Sequence, residues 1–353
     1  MKINITKTHK SRINGTDFEN LGFGEVFSDH MFSMEFKNGE WTSPQIIPFG
    51  KIDVFPSLCS LHYGQVVFEG LKAFYTQEGI NIFRPEKYHE RLNRSSQRLC
   101  IPRMDYDVFI EGLTELLELD EKWVPRKKGY SLYIRPFIFA TDNFLGVKIS
   151  KTYRFMIITS PVGAYYGEGF DPIRLMTSGK YVRAIRGGVG TAKTPANYAA
   201  SLPPAEEAKN IGFSQVLWLD GIEKKYIEES GAMNVFFLYE DELVTPSLES
   251  PILEGVTRNT VINLARKWGV AVCERRISID EVILASNEGK LKEVFGTGTA
   301  AVISPIGHIQ HNDILISINN GKTGAFSQKL LNEINGIQCG EKDDCFGWCH
   351  RIA

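Results

Sequence analysis

The 353 residues carry a formal net charge of −2, with 43% hydrophobic and 23% charged side chains, the balance of a globular chain long enough for two domains. So little net charge leaves no broad basic surface to follow a nucleic acid backbone, and no apolar run reaches the ~18 residues of a membrane span, so a small-molecule ligand is expected. Six cysteines (Cys59, Cys100, Cys273, Cys339, Cys345 and Cys349) are scattered behind an amino terminus without a secretory pattern, which predicts reduced thiols and a cytoplasmic location. The last three, with His350, lack the closely spaced cysteine pairs of structural zinc sites, and no metal is expected.

Residues 1–20 are polar and aperiodic and read as a mobile arm. Alternation over 27–36, the Asn38-Gly39 turn and Trp41 on the return predict a hairpin that opens a sheet. Beyond Pro44, Pro48 and Pro56, the aromatic and β-branched run 61–74 reads as strand, with Gly64 and Gly70 marking a bulge or close backbone approach. A helix is expected from Pro85, with Tyr88, Leu92 and Leu99 on one stripe and Arg91 beside it, able to reach inward to an anion. Residues 105–119 read as a second helix with Phe109, Ile110, Leu113, Leu116 and Leu117 inward, and strands follow through Tyr133 and Phe137 and over 153–159. A linker at 163–172 is expected between a domain of 1–162 and one of 173–353.

Residues 186–198 concentrate the chemistry, because Gly187, Gly188 and Gly190 lead directly into Lys193. One reading is a phosphate loop, in which Gly187, Lys193 and Thr194 fit and the apolar run 216–219 before Asp220 resembles a magnesium-holding strand. It fails at Ala192, where the turn needs glycine, and Pro195 follows where the helix should already run. The other reading is a lysine amine that forms a Schiff base with a carbonyl cofactor, with Tyr198 near enough to hydrogen-bond to it. Further on, a helix at 205–210 ends by Gly212, and strands at 215–219, 225–228 and 234–238 suggest a meander, the first two joined at Asp220-Gly221. Val261, Ile262, Leu264, Ala265 and Trp268 recur at helical spacing, so a helix begins near Arg258 and presents Gly255-Val256-Thr257 at its amino end, where free N–H groups favour an anion. Ser278 with Glu281 forms a capping box.

The motifs His62-Tyr63-Gly64-Gln65, Phe68-Glu69-Gly70-Leu71-Lys72, Phe83-Arg84-Pro85-Glu86, Arg91-Leu92, Tyr133-Ile134-Arg135-Pro136, Lys193 with Asn197-Tyr198, Gly255-Val256-Thr257-Arg258 and Gly298-Thr299-Ala300 follow one another in order. In these the chain resembles the branched-chain amino acid aminotransferases, and the likeness extends from Phe27-Ser28-Asp29-His30 to Phe346-Gly347-Trp348. The resemblance implies a mixed α/β fold of pyridoxal-phosphate fold type IV, with a smaller N-terminal domain and a larger C-terminal pseudo-barrel domain. It also implies pyridoxal 5'-phosphate as cofactor, amino acids and 2-oxo acids as substrates, and a homodimer.

By that likeness Lys193 is the Schiff-base lysine and Glu229, rather than its neighbour Glu228, partners the pyridine nitrogen. Tyr198 is implied to donate to the cofactor's ring oxygen, while Arg91, Val256, Thr257 and Thr299 cradle its phosphate. Tyr63 and the Ala300 N–H are implied to grip the substrate carboxylate, and Phe23, Phe68, Tyr133 and Tyr165 to form an apolar wall. The segment Phe144-Leu145-Gly146-Val147 is implied to reach the partner subunit's site, which places Val147 at the substrate. Period-2 alternation puts Arg135 on the face of Tyr133, where its planar fork suits the second carboxylate of glutamate. Departures from the family pattern are Pro195-Ala196 before Asn197-Tyr198, Ala232 in place of a threonine, and no Cys-x-x-Cys after Ala300. A D-amino acid aminotransferase or aminodeoxychorismate lyase of the same fold, and a phosphate-loop nucleotidase, remain as alternatives.

Overall fold

In the computed structural model, which describes residues 2–163, 170–249 and 251–352, Asn38 and Gly39 take φ of 55° and 89°. This is the conformation a two-residue hairpin requires, and it joins β2 (His30–Lys37) to β3 (Glu40–Pro48) behind a short β1 (Asn4–Ile5). There follow α1 (Cys59–Tyr63), β4 (Val66–Phe68), β5 (Leu71–Thr76), β6 (Gly79–Phe83), α2 (Pro85–Arg98), α3 (Tyr106–Leu119), β7 (Ser131–Ala140) and β8 (Tyr153–Val162). After these come β9 (Ile173–Thr177), α4 (Pro195–Ala199), α5 (Leu202–Asn210), β10 (Gln215–Leu219), β11 (Ile227–Ser230), β12 (Asn234–Tyr239), β13 (Glu242–Thr245), α6 (Val256–Lys267) and β14 (Ala271–Glu274). The chain closes with α7 (Ile279–Asn287), β15 (Leu291–Gly298), β16 (Val302–His311), β17 (Ile314–Ser317), α8 (Ala325–Gln338) and β18 (Cys349–Ile352). The fold is mixed α/β, and no described helix is long and apolar enough to cross a membrane.

Two units emerge: Met1–Gly167 with Ala192–Pro195 and Asn335–Ala353, and Glu168–Thr191 with Ala196–Ile334. A simple division into 1–162 and 173–353 differs from this, because β18 pairs antiparallel with β6, Cys349 opposite Phe83 and Ile352 opposite Ile80. The unit that holds the N-terminal strands is consequently the larger, where the sequence reading expected the smaller. Its sheet runs β1-β3-β2-β8-β7-β5-β6-β18, with β4 also on β7. Phe32, Phe109 and Phe155 fill its core, and α3 packs so closely on β2 that a side-chain carbon at Gly112 would sit 2.7 Å from the Phe32 ring. Asp105 caps α3 by accepting from the Asp107 N–H.

The second unit's sheet runs β11-β10-β9-β16-β15-β12-β13-β14, with β17 on β16. Leu175, Leu217, Val235, Phe237, Val282 and Ile309 belong to one buried cluster beneath α7, and Ser278 caps that helix through the Glu281 N–H.

Four expectations are revised. The first twenty residues are tied down: β1 pairs parallel with β3, Ser11 Oγ and Arg12 N–H bond Asp29, and the Thr8 N–H donates to His30 Nε2. The run read as a strand from residue 61 begins inside helix α1, which Gly64 ends in the left-handed conformation at φ 65°. The meander is broken, since β11 pairs with β10 while β12 pairs with β15. Finally, α6 starts at Val256, two residues earlier than its apolar spacing indicates.

Candidate active site

In the first unit, the pleat of β7 puts Tyr133 and Arg135 on one face, and the Arg135 Nη2 donates to the Tyr133 hydroxyl at 2.9 Å. The Arg135 guanidinium lies 4.8 Å from the Phe68 ring centre and 5.3 Å from that of Tyr133, while its Nε is buried with no hydrogen-bond partner. Phe23 packs edge-on against Tyr133 at 4.9 Å. Gly70 is small because it must be: a side-chain carbon there would fall 2.0 Å from the Tyr133 hydroxyl.

Lys193 joins this group through its backbone, with its N–H donating to Ser95 Oγ at 2.9 Å and its carbonyl accepting from the Phe68 N–H at 3.1 Å. Its Nζ stands 5.0 Å from the centre of the same Phe68 ring. The hydroxyl of the neighbouring Thr194 is buried without a partner. Arg91 is engaged inside the unit: Nε and Nη2 donate to the two oxygens of Glu69 at 2.7 and 2.8 Å, and both side chains are buried. Tyr63 and Val147 are exposed, and Tyr165 lies outside the described residues.

In the second unit Glu229 projects from β11. Its Oε1 accepts from the Leu253 N–H at 2.9 Å and the Asn234 Nδ2 at 3.2 Å, and its Oε2 is 2.7 Å from Arg183 Nε. Asn234 also donates to the Leu253 carbonyl at 2.9 Å, and its Oδ1 would be only 1.9 Å from a side-chain carbon at Gly255. Asn234 thus gathers Glu229 and the amino end of α6, where Gly255 provides no side-chain cap and Val256 and Thr257 are buried. On the other side of Asn234, its β-partner Thr297 has a buried hydroxyl with no partner and leads to Thr299 and Ala300 in the turn before β16. Tyr198 sits in α4, next to Asn197, whose Nδ2 donates to the Val189 carbonyl at 2.9 Å.

The two neighbouring acids are told apart by strand alternation. Glu228 faces away from Glu229, its Oε2 has no partner, and burial pushes its carboxyl up to about 7, with Arg183 opposing and Glu229 and Asp220 adding to the rise. Asp220 is accounted for locally. Burial raises it, yet backbone N–H groups of Tyr226, Glu223, Lys225 and Ile222 hold it down at about 2, so its oxygens serve their own turn and not a magnesium ion.

The residues of the second unit fit pyridoxal phosphate on three counts: an uncapped helix amino end for a phosphate, a held carboxylate for a ring nitrogen, and the buried Thr297 hydroxyl that lacks a partner. Comparison with known proteins agrees, for the Amino-transferase class IV family matches residues 66–309. The chain belongs to the class IV aminotransferases. This aminotransferase is 52% identical to branched-chain-amino-acid aminotransferase 2 of Bacillus subtilis (strain 168), over 100% of its own length and 97% of the relative's. Among solved structures it is similar to a branched-chain amino acid aminotransferase of Escherichia coli, with a TM-score of 0.75, 27% identity and coverage of 92% and 99% of the two chains. A T.th. branched-chain amino acid aminotransferase complexed with N-(5'-phosphopyridoxyl)-L-glutamate gives 0.74 and 26%, covering 91% and 98%.

Sequence reasoning missed the polar partners Glu69, Arg183 and Asn234's link to Glu229. Glu69 had a signal, an acid inside an otherwise apolar strand motif. Arg183 had none, because it meets Glu229 only through the tertiary fold.

Proposed function

We propose that this aminotransferase moves the amino group between leucine, isoleucine or valine and 2-oxoglutarate, yielding branched-chain 2-oxo acids and glutamate. The observation that carries this reading is the Phe68 ring, which has the Lys193 amine at 5.0 Å and the Arg135 guanidinium at 4.8 Å. An apolar wall beside the reactive amine takes a branched side chain, and a cation on that wall takes the second carboxylate of glutamate. The names of the relatives at about half identity support the same substrates.

Pyridoxal phosphate supplies an electron-withdrawing ring that stabilises negative charge at the substrate α-carbon. Lys193 Nζ would hold the cofactor and would move a proton at that carbon. Glu229 would keep the ring nitrogen charged, and the Tyr198 hydroxyl would donate to the ring oxygen. Val256 and Thr257 at the start of α6, with Thr299 and Arg91, take the phosphate. Ala300 N–H and Tyr63 would hold the substrate carboxylate, and Phe23, Phe68 and Tyr133 would exclude water around its side chain. Val147 completes the pocket from a partner subunit in a homodimer, and Cys59, Cys100, Cys273, Cys339 and Cys349, all thiols, suit a cytoplasmic enzyme.

Purified protein given leucine and 2-oxoglutarate should release glutamate in step with 4-methyl-2-oxopentanoate, and borohydride followed by peptide mapping should find the cofactor on Lys193. D-alanine turnover without leucine turnover, or an adduct on Lys72, would overturn the reading.

A further inference from the structure

We propose that Arg183 is a positioning residue for the transamination: its buried guanidinium holds Glu229 as the anionic partner of the cofactor's ring nitrogen and locks the neighbouring chain segments around it. Arg183 is 8% exposed and makes three contacts. Its Nε is 2.7 Å from Glu229 Oε2. Its Nη2 donates to the Gly190 carbonyl at 3.1 Å and to the Pro251 carbonyl. These segments matter separately. Gly190 lies three residues before Lys193 in the sequence and has no room for a side chain, since a carbon there would lie 2.4 Å from the Pro251 carbonyl oxygen. Pro251 opens the short run to Leu253, whose N–H bonds the other Glu229 oxygen, and to Gly255 at the start of α6.

Charge balance explains why the pair must be close. Two adjacent carboxyls, Glu228 and Glu229, are buried on β11, and one buried guanidinium can neutralise only one of them at contact distance. Glu229 has the contact. Glu228 lacks a partner for its Oε2, and the charged groups that act on it are Arg183, Glu229, Asp220 and Arg276. Without the guanidinium, a buried Glu229 would favour its neutral form, and a neutral acid cannot hold a proton on the ring nitrogen by charge.

The inference rests on Glu229 as the ring-nitrogen partner, and Glu229→Gln tests that premise beside it. Holoenzymes of wild type, Arg183→Met, Arg183→Lys and Glu229→Gln are compared by pH titration of the bound cofactor's visible absorption, by equilibrium dialysis of pyridoxal phosphate, and by kcat and KM for leucine. Arg183→Met should move the absorption midpoint by about one pH unit or more and lower kcat ~10²-fold, with KM within a few-fold. Arg183→Lys keeps the charge and loses the fork, so it should recover at least half of the midpoint while kcat stays ~10-fold low. Glu229→Gln should reproduce the spectral change of Arg183→Met. Wild-type titration and kcat in Arg183→Met, with only a lower Tm, would overturn the proposal. If that variant does not fold, wild-type values of both in Arg183→Lys would overturn it. A wild-type titration in Glu229→Gln would instead remove the premise, and the proposal with it.

Discussion

On the function proposed above, Arg135 would let a single side chain serve two unlike substrates. Its guanidinium lies over Phe68 and Tyr133, a setting that would suit an apolar ligand, while its buried Nε has no hydrogen-bond partner and would suit a carboxylate. Arg135→Met should lower kcat/KM for glutamate ~10-fold or more, about 1.4 kcal/mol, and leave leucine within a few-fold. Equal losses for both amino acids would assign Arg135 to holding the wall. Glu228 makes a different prediction, about pH. Its carboxyl titrates near 7 in the fold against an ordinary 4.5, so between those values the native state binds more protons than the unfolded chain. Stability from this group is then full below the ordinary value and is lost as pH rises through about 7. Glu228→Gln should remove that slope, gaining on wild type by on the order of 3 kcal/mol between pH 5 and pH 9 in urea unfolding. A stability difference that stays constant with pH would show that Glu228 is already ionised.

At the scale of elements, the amino end of α6 depends on space rather than on backbone freedom. Gly255 has φ −73°, which any residue adopts, yet its missing side chain makes way for Asn234 Oδ1. Gly255→Ala should push Asn234 out of its bonds to Glu229 and Leu253 and weaken pyridoxal phosphate binding ~10-fold in equilibrium dialysis, with helix content unchanged. Unaltered affinity would mean that Asn234 moves at no cost. Local pattern made some elements legible and not others. Pro85 and the apolar stripes over 85–99 and 105–119 announced α2 and α3, and Asn38-Gly39 announced the first hairpin, because each signal lies within a few residues of its effect. α1 was hidden: its five residues include aromatic and small polar side chains that favour no helix. The pairing of β12 with β15 was hidden too, since it is decided by contacts across distant sequence. For the site, motif likeness supplied the candidate residues, and alternation alone joined Tyr133 to Arg135. The guanidinium on Glu229 was not legible, because an ion pair in the core leaves no periodic trace.

Over the whole molecule, the loops before α1 and after β7 share a face. Leu58 bridges Asn143, the Cys59 N–H bonds the Asp142 carbonyl and the Phe144 N–H bonds that of Ser57. These loops and α1 expose Phe55, Leu61, Tyr63, Phe144, Leu145 and Val147, the last 87% exposed, and apolar exposure of this kind suits an interaction surface. If this face forms the proposed homodimer, wild type should sediment as a dimer, and a Leu145→Asp, Val147→Asp double variant should sediment as monomer and lose activity at the same assay concentrations. A fully active monomeric wild type would dispose of the partner's role in the pocket.

The pairing of β6 with β18 reaches into how the chain is made. Asn81 and Arg351 face each other across that ladder although 270 residues separate them, and Trp348 packs against Phe83 while its carbonyl accepts the Arg84 N–H. On a ribosome moving at roughly 5–20 residues per second, the edge of β6 therefore waits on the order of half a minute for its partner, with its backbone groups open to any other strand. The earliest sheet to be synthesised is the last to be finished, and the interval is when a chaperone has most to protect.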